Sequence, residues 1–186
     1  MTNREASQLL RELKTDHRNM ASLLMMIEQQ ADRAFAAEEA DFERLSDIMI
    51  YMTVYPDAVH HVKEDQLYAE LKAVRPDLSK GMSRIGLEHR QIAEQGLELR
   101  DTVKQVLAGQ FLRRNLVVQH ALRYVETLRS HMLWEERDLF RRIETMIRDG
   151  HDRLDTATIV NKPDPLFGPA VDRRFGRLLD DIRQTA

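Results

Sequence analysis

The chain has no cysteine among its 186 residues. Disulfide bonds, thiolate metal ligands and cysteine nucleophiles are therefore excluded, and any bound metal must be held by nitrogen and oxygen atoms. Glycine and proline are scarce, with seven and five residues, and three of the prolines lie close together near the C-terminus. Because both residue types interrupt helices, their scarcity favours a mostly helical protein.

Long apolar runs are also missing, and no stretch approaches the ~20 residues that a membrane span needs. The N-terminus is polar and lacks the apolar region of a secretion signal. The 28 basic side chains are offset by 31 acidic ones, so the net charge of −3 offers no broad attraction for nucleic acid. We therefore predict a soluble, cytoplasmic protein that binds neither nucleic acid nor membrane.

Apolar residues recur three and four positions apart in four long segments, a spacing that is typical of bundle helices. The predicted helices run from Asn3 to Phe35, from Asp41 to Val74, from an N-cap at Ser79 to Gly109, and from Phe111 to Arg148. Pro56 should kink or split the second helix just ahead of His60. The segments predict an all-α, up-down-up-down four-helix bundle.

The predicted bundle occupies residues 1–150, followed by a proline-containing loop over residues 151–170. Residues 171–186 predict an additional short amphipathic helix. Its apolar face consists of Val171, Phe175, Leu178, Leu179 and Ile182. We expect this helix to dock on the bundle or on a partner subunit, which leaves a homodimer open.

One pattern of histidines and glutamates occurs twice along the chain. Each copy has a histidine on one helix, then a second histidine on the next helix with a glutamate four residues after it. A separation of four residues places the two side chains on one helix face, one turn apart. The six residues are His17, His60, Glu64, His89, His131 and Glu135. All six fall on inward-facing stripes, which predicts a two-metal site in the centre of the bundle.

Buried imidazoles and carboxylates are costly in a metal-free core, and metal coordination compensates that cost. We assign the two histidines of each copy to one ion and both glutamates to the pair as bridges. With a bridging water or hydroxide, each ion is five-coordinate and keeps one position open. Imidazole and carboxylate donors suit iron, and also manganese or zinc.

The register of the ligands leaves alternatives open. His61 with Asp65 could replace His60 with its glutamate, and Glu136 could replace Glu135. His61 is rotated by about 100° from His60 on an α-helix, so we expect it behind the ligands or at the surface.

Other polar and aromatic residues near the pattern have simpler explanations. Asp16 and Glu88 each precede a candidate ligand and could orient it by accepting a hydrogen bond, but helix-surface charge is the expected role for both. Tyr124 could cap the site or donate a hydrogen bond to a bound ligand, but it and Trp134 are expected to pack in the core. His120 lies about 16 Å from His131 along the same helix, almost on the same face. It is therefore too far from the predicted site to be a ligand.

The six residues, with the runs HHVKED at residues 60–65 and HMLWEE at residues 131–136, resemble the hemerythrin-like (HHE cation-binding) family over about residues 5–148. The resemblance implies a non-heme diiron site, with two oxo- or hydroxo-bridged iron ions, that binds dioxygen, nitric oxide or peroxide. In the oxygen-carrying hemerythrins the third helix supplies a second histidine, and here that position is Ala93. Their last carboxylate follows its histidine at i+5, where this chain has Glu136. With four histidines the chain is more similar to the bacterial branch associated with nitrosative stress and repair of iron centres.

Three functions are compatible with this pattern. The first is a diiron protein that binds a small diatomic ligand or oxidant in sensing or in protecting iron centres under stress. The second is a redox enzyme that reduces nitric oxide or peroxide at the same site. The third is a helical interaction module in which the metal only holds the fold together.

Overall fold

The computed structural model describes residues 3–110, 114–150, 153–155, 159 and 162–185. Its helices are α1 (Asn3–Phe35), α2 (Phe42–Met52), α3 (His61–Val74), α4 (Ile85–Leu107), α5 (Arg114–Trp134), α6 (Phe140–Asp149) and α7 (Gly176–Thr185). These residues contain no strand, which confirms the predicted all-α class. The predicted start of the fourth helix at Phe111 and parts of the predicted loop at 151–170 lie outside the described residues.

The helices form a four-membered bundle in which α2 with α3, and α5 with α6, each act as one long member. Helix α1 packs against α2 and α5, and α4 packs against the same two helices from the other side. This arrangement confirms the predicted four-helix bundle. None of the described helices combines the length and apolar character that a membrane crossing requires.

The second bundle member is split by a π-helical turn, Pro56–His60, as the position of Pro56 predicts. Proline has no N–H to donate to the preceding helical turn, so the α-helical hydrogen-bond ladder stops there. The backbone N–H of His61 instead donates to the carbonyl of Pro56, five residues earlier. A π turn is wider than an α turn, which changes the direction of the side chains that follow it.

The fourth bundle member contains a second π turn, Glu135–Leu139, in which the N–H of Phe140 donates to the carbonyl of Glu135. No proline or glycine marks this turn in the sequence. The two π turns contain His60 and Glu135, two of the predicted metal ligands. Such turns are rare and are found disproportionately at functional sites.

The apolar core is divided into two clusters, with the predicted site between them. Along α1, Met20 belongs to the first cluster and Leu13 to the second, and His17 lies between them. The first cluster also contains Ile27, Met49, Leu99 and Leu128, and the second contains Leu10, Leu67, Leu71 and Ile143. Packed side chains above and below therefore hold the polar layer in place.

Two details of the sequence prediction are wrong at the ends of helices. Ser79 does not cap the third helix, because its hydroxyl donates to the carbonyl of Pro76 and α4 begins only at Ile85. The apolar stripe of the predicted second helix also places Val74 on the core face, but its position at the end of α3 leaves it exposed. Both positions lie near Pro76, where a short 3-10 turn replaces regular helix.

The C-terminal segment packs on the bundle of its own chain. Phe175 and Leu178 lie in the first apolar cluster, together with the buried ring of Tyr51. The Tyr51 hydroxyl donates to Asp164 at 2.8 Å. The C-terminal segment is therefore attached to α2 by the apolar contacts of Phe175 and of Leu178 in α7, and by the hydrogen bond from Tyr51 to Asp164 in the loop before that helix.

Gly81 occupies a tight position between α3 and α4, and Gly81→Ala is expected to destabilise the fold. Its φ of +90° costs an L-residue about 1–2 kcal/mol. An added Cβ would also lie 2.9 Å from Cζ2 of Trp134, so the indole ring would have to move. Urea unfolding of the full chain measures the decrease in the free energy of unfolding.

Gly150→Ala is the matched control, since Gly150 has a φ of +75° and no atom within 4 Å of an added Cβ. We expect Gly81→Ala to lower the free energy of unfolding by about 1 kcal/mol more than this control does, because only at residue 81 does the added methyl group overpack a neighbouring side chain. Equal losses in the two variants would show that the Trp134 contact contributes nothing.

Candidate metal centre

The structure brings all six predicted ligands together in the layer between the two core clusters. The two glutamates have no exposed surface, and the four histidines are between 1% and 8% exposed. The six residues come from six different elements of the bundle, namely α1, the two π turns, α3, α4 and α5. Side chains that are far apart in sequence therefore converge on one buried point.

The candidate donors fall into two groups that share Glu64. One group contains His17 and His60 with Glu64, and the other contains His61, His89 and His131 with Glu64. Within each group the donor atoms all lie within 4.8 Å of one another. The arrangement therefore offers two adjacent cation positions and a carboxylate that faces both.

The distances between donor atoms match those around a bound transition metal. Glu64 Oε1 lies 3.2 Å from His60 Nε2 and 3.4 Å from His17 Nε2, while Oε2 lies 3.6 Å from His89 Nε2. Metal–ligand bonds of about 2.0–2.2 Å separate neighbouring donors by about 3 Å or slightly more. The two oxygens of Glu64 are thus directed to opposite halves of the centre.

Glu135 lies between the same two halves. Its Oε2 is 3.5 Å from His17 Nε2 and 3.3 Å from His131 Nε2. On the second side, His89 Nε2 and His131 Nε2 are 3.1 Å apart. Each glutamate therefore lies between the two halves of the centre, and its role as a bridge stays a prediction.

Several atoms that face the centre have no hydrogen-bond partner. They are His17 Nε2, both carboxylate oxygens of Glu64, and Oε2 of Glu135. A buried polar atom without a partner costs about 1–3 kcal/mol, and more if it is charged. Cations held by these atoms would remove that cost, so the side chains present fit a metal site.

Asp16 and Glu88 orient ligands, and the expectation that they serve as surface charge is wrong. His60 Nδ1–H donates to Asp16 at 3.1 Å, and His131 Nδ1–H donates to Glu88 at 2.9 Å. Tyr55 also donates its hydroxyl to Asp16, at 3.2 Å. Each acid reaches the histidine of a neighbouring helix rather than the one beside it in sequence, which helix geometry alone does not reveal. These bonds leave Nε2 free to face the centre.

The residues after the two glutamates lie outside the centre, behind the histidines of the other copy. His17 Nδ1–H donates to Glu136 at 3.0 Å, and His89 Nδ1 lies 3.4 Å from Asp65. The side chains of Glu136 and Asp65 are 40% and 59% exposed, whereas the glutamates before them are fully buried. The structure thus places Glu135, rather than Glu136, among the inward donors.

His61 is buried, so its predicted surface alternative is wrong. Its side chain is 5% exposed and joins the donor group of His89 and His131. His60 and His61 are predicted as alternatives because adjacent side chains diverge by about 100° on an α-helix. The π turn that ends at His60 allows both rings to lie inside the bundle.

Tyr68 is a functional residue that the sequence analysis did not identify. Its buried hydroxyl donates to Glu135 Oε1 at 2.8 Å, which leaves Oε2 facing the centre. Tyr68 follows Glu64 by four residues, so the same one-turn spacing that identified the ligands could have identified it.

The other singled-out residues lie away from the centre. Tyr124 is fully buried and packs against Gly96, and the half-buried ring of Trp134 packs against Gly81 and lies under the Arg84 guanidinium. His120 is half-buried and hydrogen-bonds to Thr102 at 2.8 Å.

Burial and mutual charge shift the pKa values of the metal-free side chains. Burial alone would raise the pKa of Glu64, but the positive charge of neighbouring imidazoles, His60 foremost, lowers it well below its ordinary value. Burial raises the pKa of Glu135 well above its ordinary value, and the charge of Glu64 raises it further. Burial would lower the pKa of His60, but Glu64 and Asp16 raise it to about 9. Bound cations would displace the protons that Glu135 and His60 otherwise retain.

The arrangement of the centre agrees with a comparison of the sequence with protein-family models. The model of the hemerythrin HHE cation-binding domain matches residues 8–143. The chain belongs to the hemerythrin HHE family. The match runs from α1 into α6 and includes all six predicted ligands, which confirms the resemblance and identifies a cation-binding helical domain. Membership of the four-histidine bacterial branch stays a prediction.

Comparisons with curated proteins and with solved structures found no match to this HHE-family chain.

Proposed function

We propose that this HHE-family protein holds two iron ions in the buried centre and binds a small diatomic ligand or peroxide there. Its role would be sensing, or protection of iron centres under oxidative or nitrosative stress. The observation that carries the proposal is the pair of donor groups that share Glu64. A carboxylate with one oxygen directed to each half suits two ions about 3.5–4 Å apart.

The donor set supports iron as the metal. It consists of imidazole nitrogens and carboxylate oxygens without any thiolate, a set that suits iron and also manganese or zinc. When bound, an iron pair would supply redox electrons and an open coordination position for the incoming ligand.

The protein's own residues orient the donors and limit access to them. Asp16, Glu88 and Glu136 accept hydrogen bonds from Nδ1 of three histidines, so that each Nε2 faces inward. Tyr68 holds Glu135 in the same way. Because the ligands are almost fully buried, only a very small molecule could reach the centre without opening the bundle. This restriction supports a diatomic ligand or peroxide.

The test is the metal content and absorption spectrum of protein purified from iron-supplemented cells. We expect about two irons per chain, with near-ultraviolet and visible bands that change when the reduced protein meets dioxygen, nitric oxide or peroxide. His120→Ala is a matched control that removes a histidine outside the centre. Stable, helical protein that takes up no metal would overturn the proposal.

The same iron-loaded protein, assayed with an added electron donor, separates the alternative functions. Repeated consumption of nitric oxide or peroxide with an electron donor would show a redox enzyme. Two bound irons whose absorption spectrum does not change on addition of dioxygen, nitric oxide or peroxide would show a metal site that only holds the fold together.

A further inference from the structure

A groove on the outside of the bundle lies between α6 and the turn that joins α3 to α4. Its cavity volume is about 430 Å³. The apolar part of its lining consists of Leu78 and the buried side chain of Met146. Four arginines and two aspartates form the polar part, namely Arg75, Arg137, Arg141, Arg142, Asp138 and Asp149. The groove is therefore locally basic, whereas the whole chain has a net charge of −3.

Two of the four arginines are fixed by partners of their own. Arg142 binds Asp138 through Nε at 2.9 Å and Nη2 at 2.8 Å, and its Nη1 donates to two backbone carbonyls of the turn between α3 and α4. Arg75 donates to both carboxylate oxygens of Asp77, at 2.8 and 2.6 Å. These contacts attach the turn to α6 and give the groove a fixed shape.

Arg137 and Arg141 differ from that pair. Both side chains are exposed, and neither makes an ion pair or a side-chain hydrogen bond with any residue that the structure describes. They are four residues apart, about one helical turn, and both line the groove. Thr145 follows four residues later and adds a hydroxyl to the same lining. Two unpaired cations and a hydroxyl therefore converge on one concave surface.

The unpaired guanidinium groups determine which ligand the groove suits. A guanidinium presents a planar fork of N–H donors that matches the oxygens of a phosphate or a carboxylate. Two such cations side by side repel each other, and a phosphate monoester, with a charge of about −1.5 to −2 at pH 7, compensates both of them. A single carboxylate compensates only one. The concave shape also concentrates the positive potential, which attracts an anion.

We propose that the groove binds an organic phosphate monoester. Arg137 and Arg141 hold the phosphate group, and the Thr145 hydroxyl donates a further hydrogen bond to it. The organic part of the ligand lies on Leu78 and Met146, which form the apolar part of the lining. The site uses none of the six predicted metal ligands, so this inference is independent of the proposed function.

The test is isothermal titration calorimetry of the full-length, metal-loaded protein with phenyl phosphate, which joins a phosphate monoester to an apolar ring. This molecule is too large to reach the buried metal centre without opening the bundle, so its heat of binding reports an outer site. Arg137→Gln and Arg141→Gln each remove one guanidinium and keep a polar side chain that is compatible with a helix. We expect each to weaken binding about 10–100-fold, as for the loss of a hydrogen bond to a charged group.

Arg90→Gln is the matched control, because Arg90 is an exposed arginine on α4 that does not line the groove. It removes the same charge and should keep the wild-type affinity. Arg137 belongs to the π turn that contains Glu135, so metal content and circular dichroism are measured for every variant. Arg141→Gln lies outside that turn and keeps the test decisive if Arg137→Gln disturbs it.

Benzoate has the same ring with a single negative charge, and it should bind more weakly than phenyl phosphate. Absence of any heat of binding with phenyl phosphate would overturn the site. Equal weakening by Arg90→Gln and the two groove variants would show attraction by net charge alone and would also overturn it. Benzoate that binds as tightly as phenyl phosphate would overturn the assignment to phosphate monoesters. The metal centre is tested separately, by metal content and absorption.

Discussion

Glu64→Ala is expected to reduce metal binding from about two ions per chain to nearly none, because both donor groups depend on this carboxylate. Its two oxygens face opposite halves of the centre, at 3.2 Å from His60 Nε2 and 3.6 Å from His89 Nε2. Loss of the carboxylate removes one ligand from each ion and their common bridge. The helices should persist, since the apolar clusters on both sides of the centre are untouched. Metal analysis of the purified variant, with circular dichroism, measures both effects.

Glu135→Ala should also lose the bridged pair, because Glu135 lies between His17 and His131. Glu126→Ala provides the control, since Glu126 is an exposed glutamate on α5 and lies away from the centre. Undiminished metal in both Glu64→Ala and Glu135→Ala would show that neither carboxylate bridges.

Metal loading is expected to raise the melting temperature of the protein by about 15–30 °C. Each ion present at about 1,000 times its dissociation constant adds about 4 kcal/mol to the free energy of unfolding. For a chain of this size each kcal/mol raises the melting temperature by about 2–4 °C. The physical source of the gain is the set of buried nitrogen and oxygen atoms that have no hydrogen-bond partner. Scanning calorimetry of iron-loaded and chelator-treated protein measures the shift.

The Glu64→Ala variant is the control for this experiment, since it retains the fold but should show almost no metal-dependent shift. Equal melting temperatures for loaded and chelator-treated wild type would mean that the centre binds too weakly to stabilise the fold. The proposed resident iron pair would then be wrong.

Regular helix and its inward face could be predicted from local spacing. The segment Asn3–Phe35 has the predicted bounds, and Leu10, Leu13 and Met20 are buried as their three-and-four spacing requires. The ligands could be predicted for the same reason, because a histidine or glutamate on an apolar stripe must point into the core. The repeat in the sequence distinguished these six residues from isolated polar substitutions.

Contacts between helices could not be predicted in this way. Asp16 was expected at the surface because it is rotated away from His17, yet it accepts a hydrogen bond from His60 on another helix. Helical rotation describes the direction of a side chain relative to its own axis, whereas Asp16 and His60 meet because their two helices pack together. Glu88 and His131 repeat this relation in the second half.

Helical periodicity and the repeated histidine–glutamate pattern were enough to predict the four-helix bundle, the family and the six residues that line the centre, because periodicity directs each side chain relative to its own helix. The position of His61, the hydrogen bond from Tyr68 to Glu135 and the attachment of α7 to its own bundle became visible in the folded chain alone. These features depend on the local path of the backbone and on packing between elements, which a helical pattern does not describe. A π turn before His61 changes the angle between adjacent side chains, and packed helices bring distant residues within hydrogen-bonding distance.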